Sequence, residues 1–448
     1  MLRNGRGVMA WFFVFVIAAA SLAGGVAIAY VTGAAAVLSF FAADQARHLA
    51  ILPQRVLSQL DVFTFLAMPL FILAGELMTR GGITRALIDL AMLIVGRFKG
   101  GLGHVNVATA IFLSSMSGSA VADAAAITSA LVPEMERRGY RREYSSALTV
   151  ASSVLGPLIP PSIVMIFYGA LMNVSVAALF AGGVLPGLLL AGGLFGYNAW
   201  AARRYDHPGG RGTDMPPLVP TLLRSTPALA VPAILLAGII FGIVTPTEGA
   251  ALAVMAALLI SLVYAWLEPG ATPWSAVRSL WRHLNGALER AATLTGAIFV
   301  ILFAAAIFGY LVAIQGLPDM VLHLVEAAGL SGLEYMLLIT LVFLLVGMVM
   351  DNTMALVLLV PLLIPAAIAG GADPVHVGVV TCLNLTIGLI SPPVGGSLMV
   401  VSAMSGVPYL RLARAILPFF ALEVGILLIL VIFPEITLYL PRQTGLLN

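Results

Sequence analysis

Gly156-Pro157-Leu158-Ile159-Pro160-Pro161 and Gly388-Leu389-Ile390-Ser391-Pro392-Pro393 both read G-x-x-x-P-P, and each interrupts a long apolar run. Proline has no N–H to donate and its ring clashes with the preceding turn. A Pro pair with a Gly four residues earlier therefore unwinds a helix where it stands. In hydrocarbon such a break leaves carbonyls and half-helix ends without partners, so they must face a polar cavity enclosed by protein. One break of this kind is an ordinary kink. Two with identical spacing predict a built site.

The surrounding composition fixes the solvent. Hydrophobic residues fill 61% of the 448 positions and charged ones 9%, where a water-soluble chain carries roughly 25% charge. Apolar stretches follow one another from Val8 to Leu440, each near the ~20 residues that cross a ~30 Å hydrocarbon core. The 45 Gly and 26 Pro are spread through these stretches rather than gathered in linkers, which predicts broken or closely packed helices inside the membrane. The net charge of +2 comes from scattered Arg with no basic stripe, so nucleic acid is not an expected partner and lipid is. Cys382 is the only cysteine, which excludes an intrachain disulfide and a CxxC site. None of the six His stands in HExxH or another metal spacing, and no nucleophile–base set is visible at membrane depth, so an embedded enzyme has no support. The first apolar stretch, behind Arg3 and Arg6, lacks a cleavage site and reads as an uncleaved start to the spans, with Gly24-Gly25 leaving one tilted helix or a broken pair open.

Two segments read as hairpins. The first, about 102–136, starts after Arg97 and Lys99, turns through Ser114-Ser115-Met116-Ser117-Gly118-Ser119, and ends at Arg137, Arg138, Arg141 and Arg142. The second, about 334–370, turns through Gly347-Met348-Val349-Met350-Asp351-Asn352-Thr353, and its flanks hold no Lys or Arg. Positive loops stay cytoplasmic, so the two hairpins enter from opposite faces. Threading the chain on that basis places 19 of the 22 Lys and Arg inside and leaves Arg47, Arg55 and Arg442 outside. The expected fold is an all-α polytopic membrane protein with an inverted-topology repeat, two re-entrant helical hairpins and two broken helices. Its parts are an N-terminal scaffold over 1–59, repeat 1 over 60–202 with its broken helix about 144–173, and a connecting region over 203–290. Repeat 2 covers 291–440 with its broken helix about 375–405, and a tail covers 441–448. Before each hairpin lies a matching stretch, Gly75 to Gly82 and Tyr310 to Gly316, each leading into an amphipathic segment.

Unwound carbonyls suit Na⁺, and half-helix N-termini suit anions, so cation-coupled anion uptake is the expected chemistry. For Na⁺ the candidates are Ser117, Gly118 and Ser119 with Gly156 and Ile159, and, by symmetry, Asp351 and Thr353 with Gly388 and Ile390. Small residues at the first tip also allow close helix packing, and Asp351 also fits an N-cap. Candidates toward the substrate are Ser119, Asp123, Pro160, Pro161, Ser162, Asn384, Pro392 and Pro393, with Asp123 equally suited to supporting the tip. Glu76 and Glu248 fall near span ends, where snorkelling or capping accounts for them. His104 and His376 begin segments and are expected at the interface.

At these residues the chain resembles the large DctM-like M subunit of tripartite ATP-independent periplasmic (TRAP) transporters. The likeness runs from Leu52 to Met78, through Gly101 to Val107, Ser117 to Ala126, Gly156 to Tyr168, Thr245 to Glu248, Gly347 to Ala355 and Asp373 to His376, and on to Asn384 to Gly395. It implies a secondary transporter of a bacterial-type inner membrane that works with a small Q membrane subunit and a periplasmic solute-binding P protein. It further implies Na⁺ as coupling ion without other cofactor, an elevator motion, and an organic acid such as a C4-dicarboxylate or sugar acid as substrate. A fused Q subunit would add roughly four spans of ~20 residues each, so Q is expected as a separate chain. The family pattern has a small residue or proline after the second hairpin's Asp, where this chain has Asn352-Thr353-Met354. The alternative within the same physics is a stand-alone dicarboxylate/Na⁺ symporter or ion antiporter of a related hairpin fold.

Overall fold

The structure, a computed structural model, describes residues 28–209, 215–267 and 272–447, and every extended element there is a helix. The beginning of the first apolar stretch, with Arg3, Arg6 and Gly24-Gly25, lies outside the described residues. In chain order come α1 (Ile28–Ala42), α2 (Leu52–Leu60), α3 (Ala67–Arg80) and α4 (Ile83–Val95). The first hairpin is α5 (Gly101–Ser117) and α6 (Ala120–Arg137). It is followed by α7 (Arg142–Ser152), the single turn α8 (Leu155–Leu158), α9 (Ile163–Met172) and the long α10 (Val176–Arg204). The chain continues through α11 (Leu218–Ile240), α12 (Pro246–Trp266), α13 (Pro273–Ile314) and α14 (Leu317–Ala327). The second hairpin is α15 (Gly332–Gly347) and α16 (Asn352–Ala369), and after it come α17 (Pro374–Gly388), α18 (Gly396–Ser405), α19 (Tyr409–Ile432) and α20 (Glu435–Gln443).

Eight helical segments among the described residues are long and apolar enough to span a bilayer. Their outer faces are apolar too: Leu223 and Ile234 on α11 and Leu252 and Leu259 on α12 are exposed, as befits helices with lipid outside and protein inside. The chain is a multi-pass membrane protein. At the starts of several helices, polar side chains take up the unpaired N–H groups. Thr245 with Glu248 closes a capping box at α12, and Ser331 with Glu334 does so at α15. Glu76 accepts from Arg80, one turn further along α3, at 3.3 Å. Both glutamates flagged at span ends thus have local partners.

The two halves interlock. Helix α3 of the first half packs on α12, and α13 packs on α1, so each half's scaffold helix lies against the helix that opens the other half. Nearer the breaks the exchange repeats, with α9 against α16 and α17, and α18 against α6 and α7. His104 and His376, expected at the interface, are each covered by another helix. Both are buried, His104 stacked on Phe195 at 5.7 Å and His376 bonded to Thr437 at 2.8 Å, because α10 and α20 cover the starts of their helices.

Helix stops at both Pro pairs, and both Pro-Pro bonds are cis. At the first break Ile159 is extended, and Ser162 joins the two pieces. Its Oγ donates to the Pro157 carbonyl at 2.5 Å and accepts from the Met165 N–H at 3.2 Å. At the second, the N–H groups of Leu389, Ile390 and Ser391 turn back onto Thr386, Ile387 and Gly388, and the Ser397 N–H crosses to the Leu389 carbonyl at 3.1 Å. Backbone approaches backbone beside this break: a Cβ on Gly388 would fall on the Gly347 main chain.

Gly388→Ala should lower stability by about 1–3 kcal/mol through overpacking, whereas Gly425→Ala, with open space at its Cβ position, should change it by less than about 1 kcal/mol. Thermal unfolding of the purified protein in one detergent separates the two; equal melting temperatures would contradict the packing described. Ser162→Ala removes the clamp across the first break and should cost about 1–2 kcal/mol, the range of a lost N-cap, in the same measurement.

Candidate transport site

The first hairpin turns because Gly118 closes α5 in the left-handed conformation (φ 59°), a backbone that side chains other than Gly adopt at a penalty. Ser119 then opens α6 as its N-cap, accepting from the Ala122 N–H at 3.4 Å. Ser117 Oγ donates to Asp123 Oδ1 at 2.5 Å and accepts from the Ser119 N–H at 3.2 Å, so one hydroxyl ties the tip to a carboxylate inside α6. Asp123 is buried, and its Oδ2 has no hydrogen-bond partner among the described residues. That oxygen faces Gly156, where an added Cβ would stand 2.6 Å from it. Gly118 in turn faces the Pro161 carbonyl at 2.7 Å from its Cβ position. Ser117, Gly118, Ser119, Asp123, Gly156, Pro161 and Ser162 therefore form one cluster, with Ile159 and Pro160 beside it in the break. No described donor reaches the Ile159 carbonyl. Gathered hydroxyl, carbonyl and carboxylate oxygens of this kind suit a small hard cation. The Ser162 hydroxyl is engaged across the break, so an anion would meet the amides entering α9 rather than that side chain.

The second tip repeats the plan with other side chains. Asp351 stands as far ahead of Gly388 as Ser119 stands ahead of Gly156. It caps α16, with Oδ1 accepting from the Thr353 N–H at 2.9 Å, and its carboxylate is exposed. The Gly395 N–H donates to the Met348 carbonyl at 3.4 Å, a direct bond from break to tip. The Gly388 carbonyl already accepts from both the N–H and the Oγ of Ser391, while the Ile390 carbonyl meets no described donor. Pro392 is half-buried and Pro393 exposed, so the second cluster is the more open of the two. Asn384 is buried away from that opening, donating to the Thr340 carbonyl at 2.7 Å and tying α17 to α15.

Sequence reasoning missed the polar ties behind the tips. Asn106 on α5 donates to Thr149 at 2.6 Å and accepts from Ser152 at 2.7 Å, fastening the first hairpin to α7. Ser152 precedes Gly156 by the same spacing that Asn384 precedes Gly388, so both halves fasten hairpin to broken helix at one position. Asn352 donates to Thr386 at 3.2 Å and leaves its own Oδ1 without a partner. The available signal was an isolated polar residue in an apolar run, which marks burial without naming the partner. Among the described residues no three His, Cys, Asp or Glu side chains gather as they would for a transition metal.

The sequence profile of the family described as "Tripartite ATP-independent periplasmic transporter, DctM component" matches residues 15–436. The chain is 36% identical over 393 residues to a Haemophilus influenzae protein named as a putative TRAP transporter large permease, spanning 88% of this chain and 90% of that one. It is 34% identical over 409 residues to the sialic acid TRAP transporter large permease protein SiaM of Vibrio cholerae, spanning 90% and 92%. Among solved structures, the YdaH transporter of Alcanivorax borkumensis shares the fold, with a TM-score of 0.58, 15% identity, and coverage of 88% of this chain and 89% of that one. The chain belongs to the DctM component family of the tripartite ATP-independent periplasmic transporters.

Proposed function

We propose that this chain is the translocating subunit of a Na⁺-coupled, binding-protein-dependent importer of an organic acid in a bacterial-type inner membrane. The observation that carries the reading is the pair of hairpin tips, each seated against a Gly-to-Pro-Pro break at the same spacing in the two halves. Oxygen donors at the tips suit Na⁺, and the amides entering α9 and α18 suit a carboxylate. Sialic acid, the substrate in a relative's name, is such an acid. The small membrane subunit and the periplasmic binding protein follow from the tripartite family. The binding protein delivers the acid and sets most of the choice between acids.

In this reading the hairpins are re-entrant and enter from opposite faces, and the unit that holds both tips moves as an elevator against a scaffold of α1, α3, α12 and α13. The contact between α3 and the first tip supports sliding. Gly75 presents bare backbone to Met116 and Ser117, and beside it lies a cavity of about 20 Å³ lined mostly by apolar groups such as Phe71, Met78 and Phe180. Asp123 is placed here as tip support and as a source of cation affinity, since a carboxylate repels an organic anion.

Uptake into proteoliposomes, with and without the two partner proteins and with Na⁺ replaced by K⁺, tests the function. Transport that needs both partners and Na⁺ is expected; full Na⁺-driven uptake by this chain alone would replace the reading with a stand-alone carrier. Ser119→Ala and Asp351→Ala should each raise the Na⁺ concentration for half-maximal uptake about tenfold, equivalent to ~1.4 kcal/mol. An unchanged Na⁺ response in both would remove these cation assignments.

A further inference from the structure

Glu423 lies in the middle of α19 and takes no part in either cluster. Its side chain is wholly buried, and neither carboxylate oxygen has a hydrogen-bond partner among the described residues. Ile416, Phe419, Leu427 and Leu430, on the same helical face, are buried with it, so the carboxyl points into protein rather than toward lipid or a headgroup. The helices packed against α19 are α7, α10, α15, α17 and α18, which include the first pieces of both broken helices.

The titratable groups that these helices bring do not pair with it. Tyr144 of α7 and Tyr197 of α10 lie against Phe419, one turn away, at 6.0 and 4.6 Å between ring centres, and Tyr144 donates to Asn198 at 2.8 Å. At the start of α7, Arg142 pairs with Glu136, and neither it nor the half-buried Glu143 is bonded to Glu423; Arg203 and Arg204 are exposed at the far end of α10. On α15 Glu334 caps its own helix and Tyr335 donates to the Leu363 carbonyl. On α17 His376 is bonded to Thr437, and Cys382 is a buried free thiol. Helix α18 has no Asp, Glu, His, Cys, Tyr, Lys or Arg, and Arg411 and Arg414 lie toward the start of α19 without an ion pair to Glu423.

An ionised carboxylate in apolar surroundings with no partner is so unfavourable that the group takes up a proton instead. Ionisable side chains inside a membrane protein mark proton or ion pathways far more often than filler. We propose that Glu423 is an intramembrane proton-binding site, protonated in the conformation seen here and deprotonated when the packing around α19 opens to water during transport. Release breaks the carboxyl O–H bond and hands H⁺ to water, leaving a carboxylate; rebinding from water reverses the step. Because α19 touches pieces of both broken helices, any rearrangement of either one bears on the site. The inference rests on the transporter reading and adds a proton dependence separate from that of Na⁺.

The test is uptake by the complete three-protein complex in proteoliposomes, measured against pH at fixed Na⁺, for the wild type and for Glu423→Gln, which keeps the neutral shape. Wild-type uptake should change by up to about tenfold per pH unit where proton release limits the cycle. In Glu423→Gln that response should fall below about twofold while the Na⁺ dependence persists. A wild type without pH response, or a Glu423→Gln variant with the wild-type profile, overturns the proposal; loss of the Na⁺ dependence in the wild type overturns the function reading instead. Should Glu423→Gln fail to assemble, infrared spectra of the wild type and Glu423→Asp decide. A protonated-carboxyl band that shifts in Glu423→Asp supports the site, and a band identical in both overturns it.

Discussion

Backbone that leaves the helix inside hydrocarbon has amide and carbonyl groups with no water to meet, and protein must enclose them. Two proline pairs impose that condition twice on this chain, and the other elements around them answer it. Ser162 bridges the first gap with one hydroxyl, and the Ser391 N–H and Oγ fold the second back onto Gly388. The hairpin tips cover what remains. Contact at that distance is possible only with bare backbone, which is why Gly118, Gly156, Gly347 and Gly388 stand where tip meets break. Carbonyls left without described donors, those of Ile159 and Ile390 among them, are then free to meet a ligand.

How far these features were legible in the sequence depends on how local their causes are. The interruption of helix at Pro160-Pro161 and Pro392-Pro393 and the turn at Gly118 follow from the residues in place, and so could be read directly. The caps, an amide donating to the Ser119 hydroxyl and another to the Asp351 carboxylate, are equally local. The exchange of scaffold helices, α3 onto α12 and α13 onto α1, could not be read, because helices surrounded by apolar neighbours and lipid carry little pattern that says which face meets which. The burial of His104 and His376 stayed hidden for a related reason: nothing in a helix start names the helix that covers it. The partners of Asn106, Asn352 and Asn384 lie on other segments, and no spacing within one segment names them.

The two halves share a plan and have diverged in chemistry. Where the first has Asp123 buried behind its tip, the second has Ala355 at the corresponding place, and where the first caps with Ser119 the second caps with the exposed Asp351. Ser162, which clamps the first break, corresponds to Val394. No side chain is needed there, because the Ser397 N–H donates directly to the Leu389 carbonyl at 3.1 Å, the pair that corresponds to Met165 and Pro157. The enclosed first cluster and the open second one are thus unequal partners in the proposed cavity, and any cations they hold would be bound with different exposure and different charge.

The central claim is that the two tips reach their breaks from opposite sides of one membrane. Cys382 is buried, so with it replaced by Ser, single cysteines introduced as Arg137→Cys and Ala328→Cys report the flanks of the two hairpins to an impermeant thiol reagent. In membrane vesicles of known orientation, the first should react only from the cytoplasmic face and the second only from the other. Reaction of both from the same face would contradict the account.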